Sequence, residues 1–134
     1  MALEIVIVDD DDVFLFLHNL TVADSGLATS THDYDSGKKA LQYLEEHNKP
    51  DEYYLIFLDI NMPIMNGWQF LDAIQSLPYA DQVSVVIVTS SIDTSDREKA
   101  KLYDQVIDFV EKPLNISDCG RIMESAQIKK HIVI

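Results

Sequence analysis

Tyr53-Tyr54-Leu55-Ile56-Phe57-Leu58-Asp59-Ile60-Asn61-Met62-Pro63 is a continuous apolar run that ends in one aspartate and is then broken by proline. Apolar and aromatic residues without alternation imply a strand buried on both faces, as in a parallel sheet, and Pro63 cannot extend a hydrogen-bonded ladder. The run reads as a central strand that delivers Asp59 to its tip. A carboxylate there is either a turn residue capping the loop or a functional group, and this stretch alone leaves both open.

Working outward, Leu3 to Val8 repeats the pattern and also stops at acid, Asp9-Asp10-Asp11-Asp12. Asp11 and Asp12 suit a helix start, where negative charge meets the helix dipole. Val13 to Leu20 follows with strong helical apolar content. Gly26 to Tyr34, with Thr29 and Thr31, is a weaker strand candidate, and Asp35-Ser36-Gly37 opens a helix through Lys38 to His47. Asn66-Gly67-Trp68-Gln69 opens the next, with Phe70, Leu71, Ile74 and Leu77 at helical spacing and Pro78 at its end. Val83 to Val88 is a β-branched run leading into Thr89-Ser90-Ser91. Ser95 and Glu98 fit a capping box, which predicts a helix to about Tyr103. Val106 to Val110 is a short strand closed by Glu111-Lys112-Pro113, and Asn115 to Asp118 caps a last helix to about Gln127. The tail 127–134 matches no element.

Composition narrows the class. The 134 residues are enough for one domain with a sizeable core, and 47% hydrophobic with 25% charged residues fits a soluble globular chain. A net charge of -13, from 23 acidic against 10 basic side chains, argues against direct nucleic-acid binding or docking on an anionic membrane and favours cations and basic partners. The single cysteine, Cys119, excludes an internal disulfide or zinc cluster and reads as a small buried apolar residue; it suits a reducing cytoplasm. No apolar stretch approaches the ~20 residues that span a bilayer.

Strand and helix alternate five times, which implies a five-stranded parallel sheet with helices on both faces, an α/β doubly wound architecture. Ligands of such sheets bind beyond the carboxyl ends of the strands, where strand order reverses. Asp9, Asp10, Asp59, Thr89 and Lys112 each fall at or just after a predicted strand's carboxyl end. Carboxylates brought together there repel one another, and proton uptake or a hard divalent cation resolves the repulsion. Magnesium takes such carboxylates, keeps waters and shares positions with phosphate, and a carboxylate can itself attack phosphorus. Asp59, the Asp9/Asp10 pair, Lys112 and Thr89 thus supply a nucleophile, a metal site, a cation and a hydroxyl for phosphoryl transfer.

These motifs identify a resemblance. Val8-Asp9-Asp10, Leu58-Asp59-Ile60-Asn61-Met62-Pro63 with Met65-Asn66-Gly67, Val88-Thr89 and Glu111-Lys112-Pro113 resemble the receiver domain of bacterial two-component response regulators, including the chemotaxis-type single-domain regulators, over about residues 3–126. The resemblance implies a flavodoxin-like (βα)5 fold and a single receiver domain over 1–134. It makes Asp59 the acceptor of a phosphoryl group from a sensor histidine kinase or phosphotransfer protein. Asp9, Asp10, Asp59 and the backbone carbonyl of Asn61 would hold Mg2+. Lys112 would pair with the phosphoryl group and precede a cis proline bond, and Thr89 and Phe109 would form the switch. Phe109 stands where tyrosine is frequent, so coupling through it runs by packing alone. Asn61 and Ser91 occupy positions that influence phosphoryl lifetime. The chain would be no enzyme beyond promoting its own phosphorylation and dephosphorylation. A downstream partner would dock on the face of Arg97, Lys99, Lys101, Phe109 and Arg121.

Two other readings compete. Asp9-Asp10-Asp11-Asp12-Val13 fits the aspartate-x-aspartate-x-valine pattern of haloacid-dehalogenase-type phosphatases, with Asp9 as nucleophile, but leaves Asn61, Met62 and Pro63 unexplained. A receiver-like binding module that takes no phosphate is the other. His18, His32, His47 and His131 are scattered and read as surface or core residues. Trp68 reads as a possible reporter of the metal loop or as ordinary helix packing.

Overall fold

A computed structural model describes residues 2–28, 30–90 and 93–132; Thr29, Ser91 and the last two tail residues lie outside these. The elements run β1 (Ala2–Val8), α1 (Asp12–Ser25), β2 (His32–Tyr34), α2 (Gly37–His47), β3 (Glu52–Leu58), α3 (Gly67–Ile74), β4 (Val83–Thr89), α4 (Thr94–Ala100), β5 (Val106–Glu111), α5 (Ile116–Glu124) and α6 (Ala126–Lys129). All strand pairs are parallel, in the order β2-β1-β3-β4-β5. This is the flavodoxin-like doubly wound order. The expected five-stranded sheet is present, with β3 at its centre.

Alternate residues of the central strands feed two separate cores. Tyr54, Ile56 and Leu58 of β3 join Val6 and Val8 of β1 under α2 and α3, where Leu44, Phe70, Leu71 and Ile74 close the layer. Tyr53, Leu55 and Phe57, with Ile5 and Ile7, face Val22 of α1 and Cys119 and Ile122 of α5. Burial on both faces explains the absence of polar alternation in the run that ends at Asp59. Cys119 is fully buried, as a small apolar residue.

Several boundaries differ from the sequence reading. The expected strand over Gly26–Tyr34 shrinks to His32–Tyr34, because only those residues find partners, Val6 to Val8 of β1. The Ser95–Glu98 capping box does not form: the Asp93 carboxylate accepts from the Ser95 N–H and hydroxyl, so α4 starts a residue earlier and ends at Ala100. The last predicted helix breaks at Ser125, whose extended backbone separates α5 from the short α6. The tail residue His131 stacks on Tyr53 at 4.0 Å and Ile132 packs on the second core, so this part of 127–134 covers the sheet.

One glycine sets the approach of α3 to the site strand. The Gly67 N–H bonds the Ile60 carbonyl at 3.0 Å, and a Cβ on Gly67 would stand 2.6 Å from Ile60 Cα and 2.9 Å from the Asp59 carbonyl oxygen. Those are backbone atoms, so the clash has no flexible side chain to absorb it. Gly67→Ala is therefore expected to lower the unfolding free energy by about 1–3 kcal/mol in urea denaturation. Gly120→Ala, inside α5 with nothing within 4 Å of the new methyl, should raise it by about 0.5–1 kcal/mol.

Candidate functional site

The carboxyl ends of the strands are pinned by their last ladder bonds. Asp59 N–H donates to the Val8 carbonyl at 3.0 Å, Asp9 N–H to Tyr34 at 3.1 Å, and Lys112 N–H to Thr89 at 2.9 Å. The Asp9, Asp59 and Lys112 side chains thus leave backbone that is tied to a neighbouring strand. Asp9, Asp10 and Asp59 each offer one carboxylate oxygen, all within 4.8 Å of one another. Asp9 and Asp59 are buried, at 2% and 4% exposure, whereas Asp10 is exposed.

Lys112 supplies the counter-charge. Its Nζ lies 2.7 Å from Asp9 Oδ2 and 3.4 Å from Asp59 Oδ2, with the side chain 6% exposed. The ring of Phe14 lies 4.3 Å from the same nitrogen, an aromatic face under an ammonium group. The Lys112–Pro113 bond is cis, as the resemblance implies. The remaining oxygen of each buried aspartate accepts a main-chain N–H, from Asp11 to Asp9 at 2.9 Å and from Asn61 to Asp59 at 3.2 Å.

Burial raises the pKa of Asp59, and the nearby Asp9 charge adds to the rise, against the opposing pull of Lys112 and the Asn61 N–H. Burial works the other way on Lys112, but the hydrogen bond to Asp9 and the charges of Asp59 and Asp9 outweigh it, so its pKa is raised and the ammonium persists. Asp59 is thus a carboxylate whose charge is disfavoured by its site. Three hard oxygen donors, one of them open to solvent, fit a small divalent cation that retains water ligands.

The switch candidates lie on β4 and β5. Thr89 is fully buried, and its hydroxyl accepts from the Asn61 side-chain amide at 3.2 Å. That side-chain link was not foreseen, since the resemblance implied only the Asn61 backbone carbonyl. Phe109 is half-buried against the first core, with the Arg97 guanidinium 5.0 Å from its ring centre. Ser91 lies outside the described residues. Asp11, the second aspartate of the phosphatase-like pattern, caps α1 through the Val13 N–H at 2.9 Å and is exposed, so it does not join the buried pair.

The basic residues of the expected face are each engaged by a neighbour. Arg121 pairs with Asp108 at 2.8 Å and Asp118 at 3.2 Å, Lys101 pairs with Glu98 at 3.1 Å, and Lys99 lies 4.8 Å over the Trp68 ring. Arg97 and Lys101 share a groove with Phe109. Trp68 stacks with Tyr103 at 5.9 Å, which assigns it to helix packing. Sequence reasoning also missed two features around α1. His18 is buried beside the site, and Val13, Phe16, Leu17 and Leu20 form an exposed apolar stripe. The i, i+3, i+4, i+7 spacing of that stripe is present in the sequence, but apolar content alone does not say which side of the helix faces solvent.

Residues 5–124 match the family described as "Response regulator receiver domain". A rice two-component response regulator is 30% identical over 122 residues, covering 88% of this chain and 52% of its own length. This chain therefore spans about half the length of that relative. The crystal structure of a response regulator receiver protein from Dyadobacter fermentans aligns with TM-score 0.82 at 29% identity, covering 92% of this chain and 96% of that one. The receiver domain of a Pseudomonas aeruginosa sensor histidine kinase shares the fold at TM-score 0.72 and 19% identity, covering 92% and 96%; that protein has a magnesium ion coordinated in its active-site cleft.

The raised Asp59 pKa has a stability consequence. A carboxyl with a higher pKa folded than unfolded binds more protons in the native state, so its ionisation costs stability as pH rises above the ordinary 3.8. In chelator, Asp59→Asn is expected to unfold at higher urea than wild type at pH 7. The gap should close as pH falls toward 3.8, which paired denaturation curves across pH would measure.

Proposed function

This chain belongs to the response regulator receiver domain family, a signalling rather than a catalytic class, and on that premise we propose that Asp59 accepts a phosphoryl group from a histidine of a sensor kinase or phosphotransfer protein. The observation that carries this reading is the convergence of Asp9, Asp10, Asp59 and Lys112 at one end of the sheet. An Asp59 carboxylate oxygen forms the new P–O bond as the donor's P–N bond breaks, and the donor imidazole leaves with the electron pair. Lys112 already sits between Asp9 and Asp59, where its ammonium can follow the charge onto the phosphoryl oxygens. Asp9, Asp10, Asp59 and the Asn61 carbonyl are the groups that would hold Mg2+, which supplies charge neutralisation on those oxygens when bound.

Thr89 is the hydroxyl that turns toward the phosphoryl group, and doing so exchanges its bond from the Asn61 amide for a charged acceptor. The space Thr89 vacates is the route by which Phe109 responds, and Arg97 over its ring carries the change to α4. Downstream partners dock on the groove of Arg97, Lys101 and Phe109, Lys99 extending that face toward α3. The α1 stripe serves the phosphodonor, because it begins at Val13, beside the Phe14 that covers Lys112. The described residues form one receiver unit around a single sheet. No helix among them is long and apolar enough to cross a membrane, and a cytoplasmic location remains part of the proposal. The capping role of Asp11 speaks against the phosphatase alternative, which would use that carboxylate in its chemistry.

The test is intact mass after incubation with acetyl phosphate and magnesium. One labile phosphoryl group on wild type that is absent from Asp59→Asn is the expected result; a label retained by Asp59→Asn and lost from Asp9→Asn would overturn the assignment. Wild type that takes up neither phosphate nor beryllofluoride would mark a receiver-shaped binding module. Phe16→Asp, on the exposed face of α1, is expected to slow transfer from a histidine donor by tenfold or more while acetyl phosphate labels it at the wild-type rate.

A further inference from the structure

His18 has no role in the chemistry above, yet it is 1% exposed and lies against two parts of the site. Its Nε2 accepts the Leu114 N–H at 3.2 Å. Leu114 is two residues beyond Lys112, and the intervening Pro113 has no N–H to offer. The first donor after Lys112 is therefore committed to a side chain of α1. On its other side the His18 ring packs against Phe14, with centroids 5.5 Å apart, and Phe14 in turn holds its face 4.3 Å from Lys112 Nζ.

A histidine is an expensive way to fill a core position. Burial disfavours its charged form, and Lys112 opposes protonation too, against a partial offset from Asp9, so its pKa is lowered and the neutral ring is retained. An aliphatic residue would pack as well but would leave the Leu114 N–H buried without a partner, because Leu114 is 2% exposed. What the imidazole adds is an acceptor where α1 meets the segment that follows Lys112.

We propose that His18 and Phe14 are positioning residues for Lys112: His18 ties the backbone after Lys112 to α1 through Leu114, and Phe14 forms the aromatic floor on which the ammonium rests between Asp9 and Asp59. Neither touches the phosphoryl group. The inference rests on Asp59 being the phosphoacceptor, and adds that the placement of Lys112 is held from α1 rather than by β5 alone.

The experiment follows the rate of Asp59 phosphorylation by acetyl phosphate in magnesium, beside urea unfolding of each variant. His18→Leu is expected to label at least tenfold more slowly, a misplacement effect of the size that small displacements of catalytic groups produce. His18→Gln, whose amide oxygen can accept the same N–H, should recover most of the rate. Phe14→Leu should also slow labelling, and Phe14→Tyr should restore it; this pair carries the test if His18→Leu does not fold. In a Lys112→Gln background, His18→Leu and Phe14→Leu should have no further effect, since the group they position is gone. Folded His18→Leu and Phe14→Leu variants that label at the wild-type rate, or slowing that persists without Lys112, would reduce both residues to core packing and overturn the proposal. Wild type that takes no label would instead fail the phosphoacceptor reading, and this inference with it.

Discussion

One buried ammonium group governs this molecule. Asp9 and Asp59 are brought almost out of water at the ends of neighbouring strands, and Lys112 stands between them. Two carboxylates sharing a low-dielectric site without a cation would cost several kcal/mol, more than a domain of this size can readily spare. The fold is therefore committed to keeping Lys112 in place, and Lys112 arrives from β5, on the far side of β4. The first, third and fifth strands must all end at the same level for the charges to meet. Continuous parallel register from β1 through β5, with one irregularity between Val85 and Val86, accomplishes that.

The compensation is incomplete by design of the geometry. Lys112 is closer to Asp9 than to Asp59, by 2.7 against 3.4 Å, and the Asp59 pKa is raised where that of a well-paired carboxylate would fall. Asp59 is the member of the pair with charge to spare for another ligand. The loop that follows it is also under constraint. Ile64 has φ 69 and is 97% exposed, a left-handed backbone in a β-branched residue whose side chain gains nothing by burial. Three residues later Gly67 presses α3 against the Asp59–Ile60 backbone. A loop held this way keeps Asn61 within reach of both Asp59, through its N–H, and Thr89, through its side chain.

The sequence made the sheet and the charged site legible for the same reason. Strands buried on both faces leave an uninterrupted apolar signature, and a carboxylate or lysine at the end of such a run stands out against it. What escaped were contacts that depend on which neighbour wins. Asp93 outcompetes Ser95 as the cap of α4 because its carboxylate accepts from both the N–H and the hydroxyl of Ser95. Basic residues that the sequence suggests as one face each find their own neighbour, Lys99 the Trp68 ring from α4 and Arg121 the Asp108 carboxylate from α5. His18 was invisible as a functional residue because its partner, the Leu114 N–H, is 96 residues away, and main-chain partners leave no trace in residue types.

The same logic shows why α1 bears so heavily on the site. Its buried side supplies Phe14 and His18 to the Lys112 segment, its N-terminus is capped by Asp11, next to the acidic pair, and its outer side exposes Val13, Phe16, Leu17 and Leu20. Apolar residues at helical spacing normally point inward, and here Val22 and Leu15 do so while two further inward positions have been given to a histidine and to an aromatic ring facing a cation. The hydrophobic surface lost to the core is displayed to solvent beside an acidic mouth. A helix arranged in this way spends stability on both of its faces. That expenditure is intelligible if whatever approaches Asp59 does so along α1, pressing on the helix that holds Lys112 from behind.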